Sequence, residues 1–255
     1  MSNKALIQID RVFKSFSVGD NTNDVLKNIS FSINEHEFVC ILGHTGCGKS
    51  TLMRIVAGFE TPDSGTVTLG DKSHTKPDRK IIMIFQDFNQ LYPWKTALGN
   101  IVFALKESDI CRNKKEAETI GRKLLKEVDL EKYESYYPHQ LSGGMRQRVA
   151  VARALSLNPK ALIMDEPFSS LDEITRRKLQ NLCRKVFAQH DISMVFVTHS
   201  LEEAINVSDR ILIMSHDGGE IIADLINECR DNPDILTRRL FREKLLSYLL
   251  CEENQ

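Results

Sequence analysis

The sequence predicts an α/β fold, and three patterns carry that prediction. Apolar runs at 38–42, 81–85 and 161–164 are continuous rather than alternating. That is how a strand buried on both faces reads, as in a parallel sheet covered by helices. Between the runs lie helical stripes: Ala117, Ile120, Leu124, Leu125 and Val128 share one face, and Leu179, Leu182, Cys183, Val186 and Phe187 another. Strand-like and helix-like segments therefore alternate along most of the chain, the pattern of a sheet whose strands are joined by helical crossovers.

Taken in order, strands are expected at 6–9, 29–33, 38–42, 81–85, 161–165, 194–198 and 211–214. From about 87 to 157 helical patterns run without a convincing strand. Some 70 residues, roughly, exceed an ordinary crossover, so this stretch is read as a helical subdomain inserted into the α/β core. The segment 232–250 reads as a short turn and an amphipathic helix carrying Leu236, Leu240, Leu245 and Leu249.

Composition narrows the function classes. The 255 residues include 34 Lys+Arg and 35 Asp+Glu, a formal net charge of −1, with 42% hydrophobic residues. Near-neutrality argues against a strongly basic nucleic-acid binder, and the apolar content argues against a disordered chain. No apolar run approaches the roughly 18–20 residues of a membrane span, and no signal peptide is expected after Met1-Ser2-Asn3-Lys4. The six cysteines, at 40, 47, 111, 183, 229 and 251, show no C-x-x-C or zinc-finger spacing. Cys40 and Cys183 read as small buried hydrophobes, and the thiols are taken as reduced in a cytosolic protein.

Gly43-His44-Thr45-Gly46-Cys47-Gly48-Lys49-Ser50 matches G-x-x-x-x-G-K-[ST] between an apolar strand and a helical pattern (Leu52, Ile55, Val56). Glycines let backbone N–H groups turn inward around phosphate oxygens, and the helix N-terminus adds partial positive charge. Lys49 suits the β- and γ-phosphates and the Ser50 hydroxyl suits Mg²⁺. Thr51, next on the helix, is grouped with these nucleotide-binding residues. Cys47, in a Gly-rich loop entering a helix, is expected to favour thiolate.

A buried strand ends at Asp165-Glu166, where α/β folds bind ligands. Asp165 suits a Mg²⁺ shell, and Glu166 suits a base or orienter for attacking water. Leu141-Ser142-Gly143-Gly144-Met145-Arg146-Gln147 opens a second helix with free N–H groups. Ser142 is both a natural N-cap and a phosphate ligand. One nucleotide does not need two such helix ends. The second makes sense if it serves the nucleotide of another copy.

These segments together resemble the nucleotide-binding subunit of an ATP-binding cassette (ABC) transporter, over nearly the whole chain. Walker A, the Leu141–Gln147 signature, Walker B with Asp165-Glu166 and the D-loop Ser170-Leu171-Asp172 stand in the family's order and spacing, as do the Q-loop Gln86 and the switch His199. The resemblance implies a P-loop NTPase (RecA-like) core of 1–86 and 159–225, a helical subdomain at 87–158 bearing the signature, and a helical tail at 226–255, one cassette spanning 5–230. It implies ATP hydrolysis with Mg²⁺ by a head-to-tail homodimer, in which each signature (Ser142, Gly143, Gly144) covers the γ-phosphate held in the other's Walker A loop.

Carried over residue by residue, the resemblance implies that Gln86 senses the Mg²⁺ and γ-phosphate, His199 contacts the γ-phosphate, Glu166 acts on water, and Ser50, Gln86 and Asp165 form the metal shell. Asp172 lies across the dimer interface, and by itself reads as a helix N-cap. Phe16 occupies the adenine-stacking position, with Phe13 as the alternative and a core phenylalanine as the plain structural reading. Ser200 and Glu203 are expected to form a capping box beside His199.

The Pro93-Trp94-Lys95-Thr96 segment resembles ATPases of nitrate, sulfonate and taurine importers, as does the tail around Pro233. It implies permease partners, indirect contact with a solute-binding protein, and a peripheral place on the cytoplasmic membrane face. No nucleic-acid partner is expected. Tyr92 and Trp94 suit a groove for a permease helix, or an internal anchor. Departures are His44-Thr45 where Pro-Ser is usual, His36 where Gly is common, and Ser200 where Asp is usual. Two other classes stay open: a soluble cassette ATPase acting on nucleic acid or ribosomes, and a nucleotide-gated regulatory subunit.

Overall fold

The computed structural model describes residues 4–19, 21–87, 90–216, 219–230 and 234–250. Phe88 and Asn89 of the loop after Gln86, residues 231–233 of the tail turn and Cys251 lie outside the described residues.

In chain order the strands are β1 (Ala5–Val18), β2 (Asn21–Asn34), β3 (Phe38–Leu42), β4 (Ser64–Leu69), β5 (Lys72–Ser73), β6 (Ile81–Ile84), β7 (Ala161–Asp165), β8 (Ser193–Thr198), β9 (Arg210–Met214) and β10 (Ile221–Ile226). The helices are α1 (Lys49–Val56), α2 (Ala97–Glu107), α3 (Lys114–Glu127), α4 (Gly143–Ser156), α5 (Glu173–Gln189), α6 (Leu201–Val207) and α7 (Ile235–Leu250).

One sheet has the order β10-β9-β3-β8-β7-β6, parallel except for the β10 edge. Its central strands are buried on both faces, as their unbroken apolar runs require. Phe38, Cys40, Leu42, Leu162, Met164 and Phe196 point into a core shared with helices α2 to α6. Val39, Ile41, Ile163, Val195 and Val197 point the other way, onto Leu52, Met53 and Val56 of α1. That second core is closed by a four-stranded antiparallel sheet, β2-β1-β4-β5, through Ile7, Ile9, Ile29 and Ile33. Helix α1 and the loop before it are thus clamped between two sheets.

The antiparallel layer is larger than the sequence suggests. β1 and β2 extend well beyond 6–9 and 29–33, and β4, β5 and β10 are additional strands. Their sequences hide them: only Val67 of β4 is buried, β5 is exposed, and β10 is a part-exposed edge. His36, where glycine is common, sits at φ 55°. This left-handed backbone is costly for a residue with a Cβ, and the imidazole stacks on Phe187 at 4.6 Å between centroids.

Helices α2, α3 and α4 lie between β6 and β7 and pack on one another through Ile101, Leu105, Ala117, Leu125 and Val149. Thr96, Asn113 and Ser142 cap their N-termini by accepting from backbone N–H groups. The tail helix differs from its expected face. Phe241, Leu245 and Leu249 are buried, while Leu236 and Leu240 are exposed. Among the described residues no helix is long and apolar enough to cross a membrane.

Candidate functional site: a nucleotide cradle at the ends of the parallel strands

The phosphate loop leaves β3 after Leu42 and enters α1 at Lys49. Gly48 holds φ 99°, and a Cβ there would stand 2.7 Å from the Val25 carbonyl oxygen. No other residue fits that turn against β2. The Lys49 side chain is buried along the loop, with Nζ donating to the carbonyls of Gly43 at 2.9 Å and His44 at 2.6 Å. The ammonium is therefore already held against the carbonyls at the start of the phosphate loop.

Cys47 departs from expectation. It is only 5% exposed and packs in the core under α1. Burial pushes its thiol above the usual range, and the nearby Lys49 ammonium offsets this only in part. The helix terminus does not make it a thiolate, because desolvation of the charged form dominates.

Ser50 Oγ donates to Asp165 Oδ1 at 2.9 Å. A hydroxyl and a carboxylate at this spacing are hard oxygen ligands suited to Mg²⁺. Burial raises the Asp165 carboxyl above its usual value, opposed by the Ser50 bond and reinforced by Glu166. The cradle also holds an orphaned polar atom: His44 Nε2 is buried without a hydrogen-bond partner, its ring edge-on to His216 at 5.1 Å. The buried ammonium, the hydroxyl–carboxylate pair and the unpartnered His44 nitrogen all fit a Mg²⁺-bound polyphosphate.

Glu166 stands next, at φ 42°. A non-glycine residue there stores roughly 1–3 kcal/mol of backbone strain, a device found at functional sites. Ser169 holds the bend, its N–H and Oγ donating to the Glu166 carbonyl at 3.3 and 3.1 Å. The carboxylate is bracketed. Gln86 Nε2 donates to Glu166 Oε2 at 3.3 Å, and His199 Nδ1 lies 3.5 Å from Oε1. Three residues from the ends of β6, β7 and β8 thus converge beside the phosphate loop.

The signature and D-loop form a second group. Ser142 Oγ accepts from Met145 N–H at 3.3 Å, and Asp172 Oδ1 from Thr175 N–H at 3.0 Å. A Cβ on Gly144 would stand 2.2 Å from Thr175 Cγ2, so the start of α4 abuts α5. Among the described residues no hydrogen bond or ion pair joins Ser142, Gly143 or Gly144 to the phosphate loop.

Phe16 is 41% exposed, which removes the core reading, and Lys14 Nζ sits 5.2 Å from its ring centroid. Phe13 is exposed as well. Trp94 is 69% exposed and touches Tyr92 at 5.6 Å between centroids, so it is not an internal anchor. Tyr92 borders a groove of about 420 Å³ lined also by Ile82, Phe103, Ala104, Arg153 and Leu157.

Two connections had no signal in the sequence. Gln90 donates to the Phe85 carbonyl at 3.2 Å and to Gln147 Oε1 at 3.4 Å, tying the end of β6 to the signature helix. Ser200 and Glu203 form half a capping box: Ser200 Oγ accepts from Glu203 N–H at 3.4 Å. The Glu203 carboxylate turns inward instead, accepting from Thr198 Oγ1 at 2.5 Å.

The ABC transporter family model matches residues 26–169, which include the phosphate loop, the signature and the Asp165-Glu166 strand end. The chain belongs to the ABC transporter family. The aliphatic sulfonates import ATP-binding protein SsuB of Bacillus thuringiensis subsp. konkukian is 41% identical over 215 residues, 84% of this chain and 83% of that protein. The bicarbonate transport ATP-binding protein CmpD of Synechocystis sp. is 36% identical, covering 91% of this chain and 83% of its own. The nitrate import ATP-binding protein NrtD of Synechococcus elongatus is 35% identical, covering 91% and 84%. Among solved structures, the ATP-binding cassette MJ0796, in a dimeric post-hydrolysis state bound to ADP and Pi, superposes with a TM-score of 0.77 at 32% identity, over 87% of this chain and 99% of that one.

This ABC cassette is therefore an ATP-binding and ATP-hydrolysing transporter subunit with a P-loop NTPase fold.

Proposed function

We propose that this cassette powers import of a small oxyanion through a membrane permease. It works as a head-to-tail homodimer on the cytoplasmic face, with a solute-binding protein delivering cargo to the permease. The three named relatives serve sulfonate, bicarbonate and nitrate, and the resemblance of the Pro93–Thr96 region to that group supports the same class here.

The observation that carries the catalytic reading is the bracketing of Glu166 by Gln86 and His199 beside the Ser50–Asp165 pair. The loop N–H groups and Lys49 bind the β- and γ-phosphates. Ser50, Asp165 and Gln86 would hold Mg²⁺, which would supply neutralisation of phosphate charge. Glu166 orients the attacking water and accepts its proton at a carboxylate oxygen, while water attacks phosphorus in line and the bond to the ADP oxygen breaks. Gln86 and His199 fix the carboxylate and meet the γ-phosphate. Phe16 stacks on adenine. Ser142, Gly143, Gly144 and Asp172 complete the partner's site, which explains why they stand apart from the phosphate loop within one chain. The core of 1–86 and 159–225 carries the nucleotide, and the helical region 87–158 presents the signature and the Tyr92–Trp94 surface to the partners.

The test is ATP-dependent uptake into vesicles holding the subunit, its cognate permease and the binding protein. Nitrate, bicarbonate and an alkanesulfonate are offered in turn. Uptake of one of them supports the reading. Hydrolysis stimulated by the permease with a cationic or neutral solute, and by none of these, overturns it.

A further inference from the structure

The loop after Glu166 and the strand end before His199 are tied together by residues outside the nucleotide site. Arg176, on α5, is the hub. Its Nη2 donates to the Leu171 carbonyl at 2.8 Å and its Nε to the Phe168 carbonyl at 3.4 Å. The same Nε lies 3.4 Å from Glu203 Oε1. Glu203, on α6, is 5% exposed, and its other oxygen accepts from Thr198 Oγ1 at 2.5 Å. That hydroxyl in turn accepts from Ser200 N–H at 3.0 Å. His199 therefore sits between two residues anchored on one hydroxyl. Phe168 adds an apolar contact, its ring edge-on to Phe196 of β8 at 5.6 Å.

A buried carboxylate is expensive unless paired and hydrogen-bonded. Burial raises the Glu203 carboxyl, while Thr198 and Arg176 favour its ionised form. A cap needs only an exposed polar side chain. An inward-facing, ion-paired glutamate needs a further reason, and the residues it ties supply one. They flank the two sides of the 3.5 Å Glu166–His199 approach.

The geometry points to Arg176 and Glu203 as positioning residues for ATP hydrolysis. Their ion pair, with Thr198, locks the loop bearing Glu166 and Asp172 against the strand end bearing His199. The inference rests on the proposed roles of Glu166 and His199. It adds that the link sets their spacing, and that it joins the His199 side of one nucleotide site to the D-loop segment that faces the partner's site.

The test uses the full chain in Glu203→Gln, Arg176→Met, Arg176→Lys, the Glu203→Gln/Arg176→Met double variant, Thr198→Val and Thr198→Ser, with Glu166→Gln as the reference. kcat, KM for MgATP and Tm are measured for each. A misplacement of about 1 Å caused away from the chemistry can cost about 100-fold, so kcat should fall by about 10–100-fold in Glu203→Gln, Arg176→Met and Thr198→Val while KM moves less than about twofold. The double variant should fall no further than the worse single, because residues in one network are not additive. Thr198→Ser keeps the hydroxyl and should restore kcat. Arg176→Lys loses the planar fork and should remain impaired. If Glu203→Gln or Arg176→Met does not fold, the Thr198 pair and Arg176→Lys decide the matter. Normal kcat in folded variants with only Tm lowered, or equal impairment in Thr198→Ser and Thr198→Val, overturns the inference. Sustained turnover in Glu166→Gln would instead overturn the reading on which it rests.

Discussion

Phe16→Ala is expected to weaken ATP binding by about 30-fold without unfolding the protein. Phe16 is 41% exposed in the outer part of the β1–β2 ribbon. A phenylalanine carries roughly 200 Å² of burial, so about 80 Å² is available for a purine to cover. At about 25 cal/mol per Å² that cover is worth about 2 kcal/mol, or about 30-fold in Kd. Base–aromatic stacking of about 1–3 kcal/mol gives the same scale independently. Lys14 remains tied to Glu60 and Asp63, both at 3.0 Å, when the ring is removed. The ribbon therefore keeps its polar anchors. The assay is calorimetric titration of wild type, Phe16→Ala, Phe16→Tyr and Phe13→Ala with ATP and Mg²⁺. Phe16→Tyr should bind within about threefold of wild type, since the stacking face is retained. A Phe16→Ala change below threefold, or a larger loss in Phe13→Ala, would refute the assignment.

Trp94→Ala should leave ATP affinity of the isolated subunit unchanged and weaken association with the permease by about 2 kcal/mol, read by pull-down and vesicle uptake in parallel. Loss of ATP binding with normal association would contradict it. Maleimide should label Cys111, which is half-buried, at least about tenfold faster than Cys47, which is buried in the core under α1 and closed to the reagent; site-resolved mass spectrometry checks this. Asp165 takes up a proton more readily folded than unfolded, so its ionised form lowers stability above both pKa values. Asp165→Asn should therefore raise Tm at pH 7.5 while reducing Mg²⁺-dependent ATP affinity.

Legibility in the sequence followed burial and motif density. The central strands could be read because both faces are apolar, as at Val39-Cys40-Ile41. The phosphate loop and the strand end at Asp165-Glu166 could be read because phosphate chemistry constrains residue type and spacing together. The antiparallel layer was largely hidden, since strands such as β4 bury one residue and the rest face water or neighbours across a ribbon with register shifts. The tail helix misled through its leucines: the buried face is set by Phe241, Leu245 and Leu249, one residue out of phase with Leu236 and Leu240. Cys47 misled because a motif shows a helix terminus but not the core beneath it. The inward turn of Glu203 could not be read at all. A serine three residues before a glutamate encodes a capping box equally well, and only the Thr198 hydroxyl and the Arg176 fork redirect the carboxylate.

The role of Glu166 is tested by steady-state hydrolysis and oligomeric state of Glu166→Gln, which keeps the side chain's shape and removes its charge. The variant should retain ATP binding, turn over about 100-fold or more slowly, and form an ATP-bound dimer that persists on size-exclusion chromatography. Near-normal turnover, or a monomer at saturating ATP, would contradict that role.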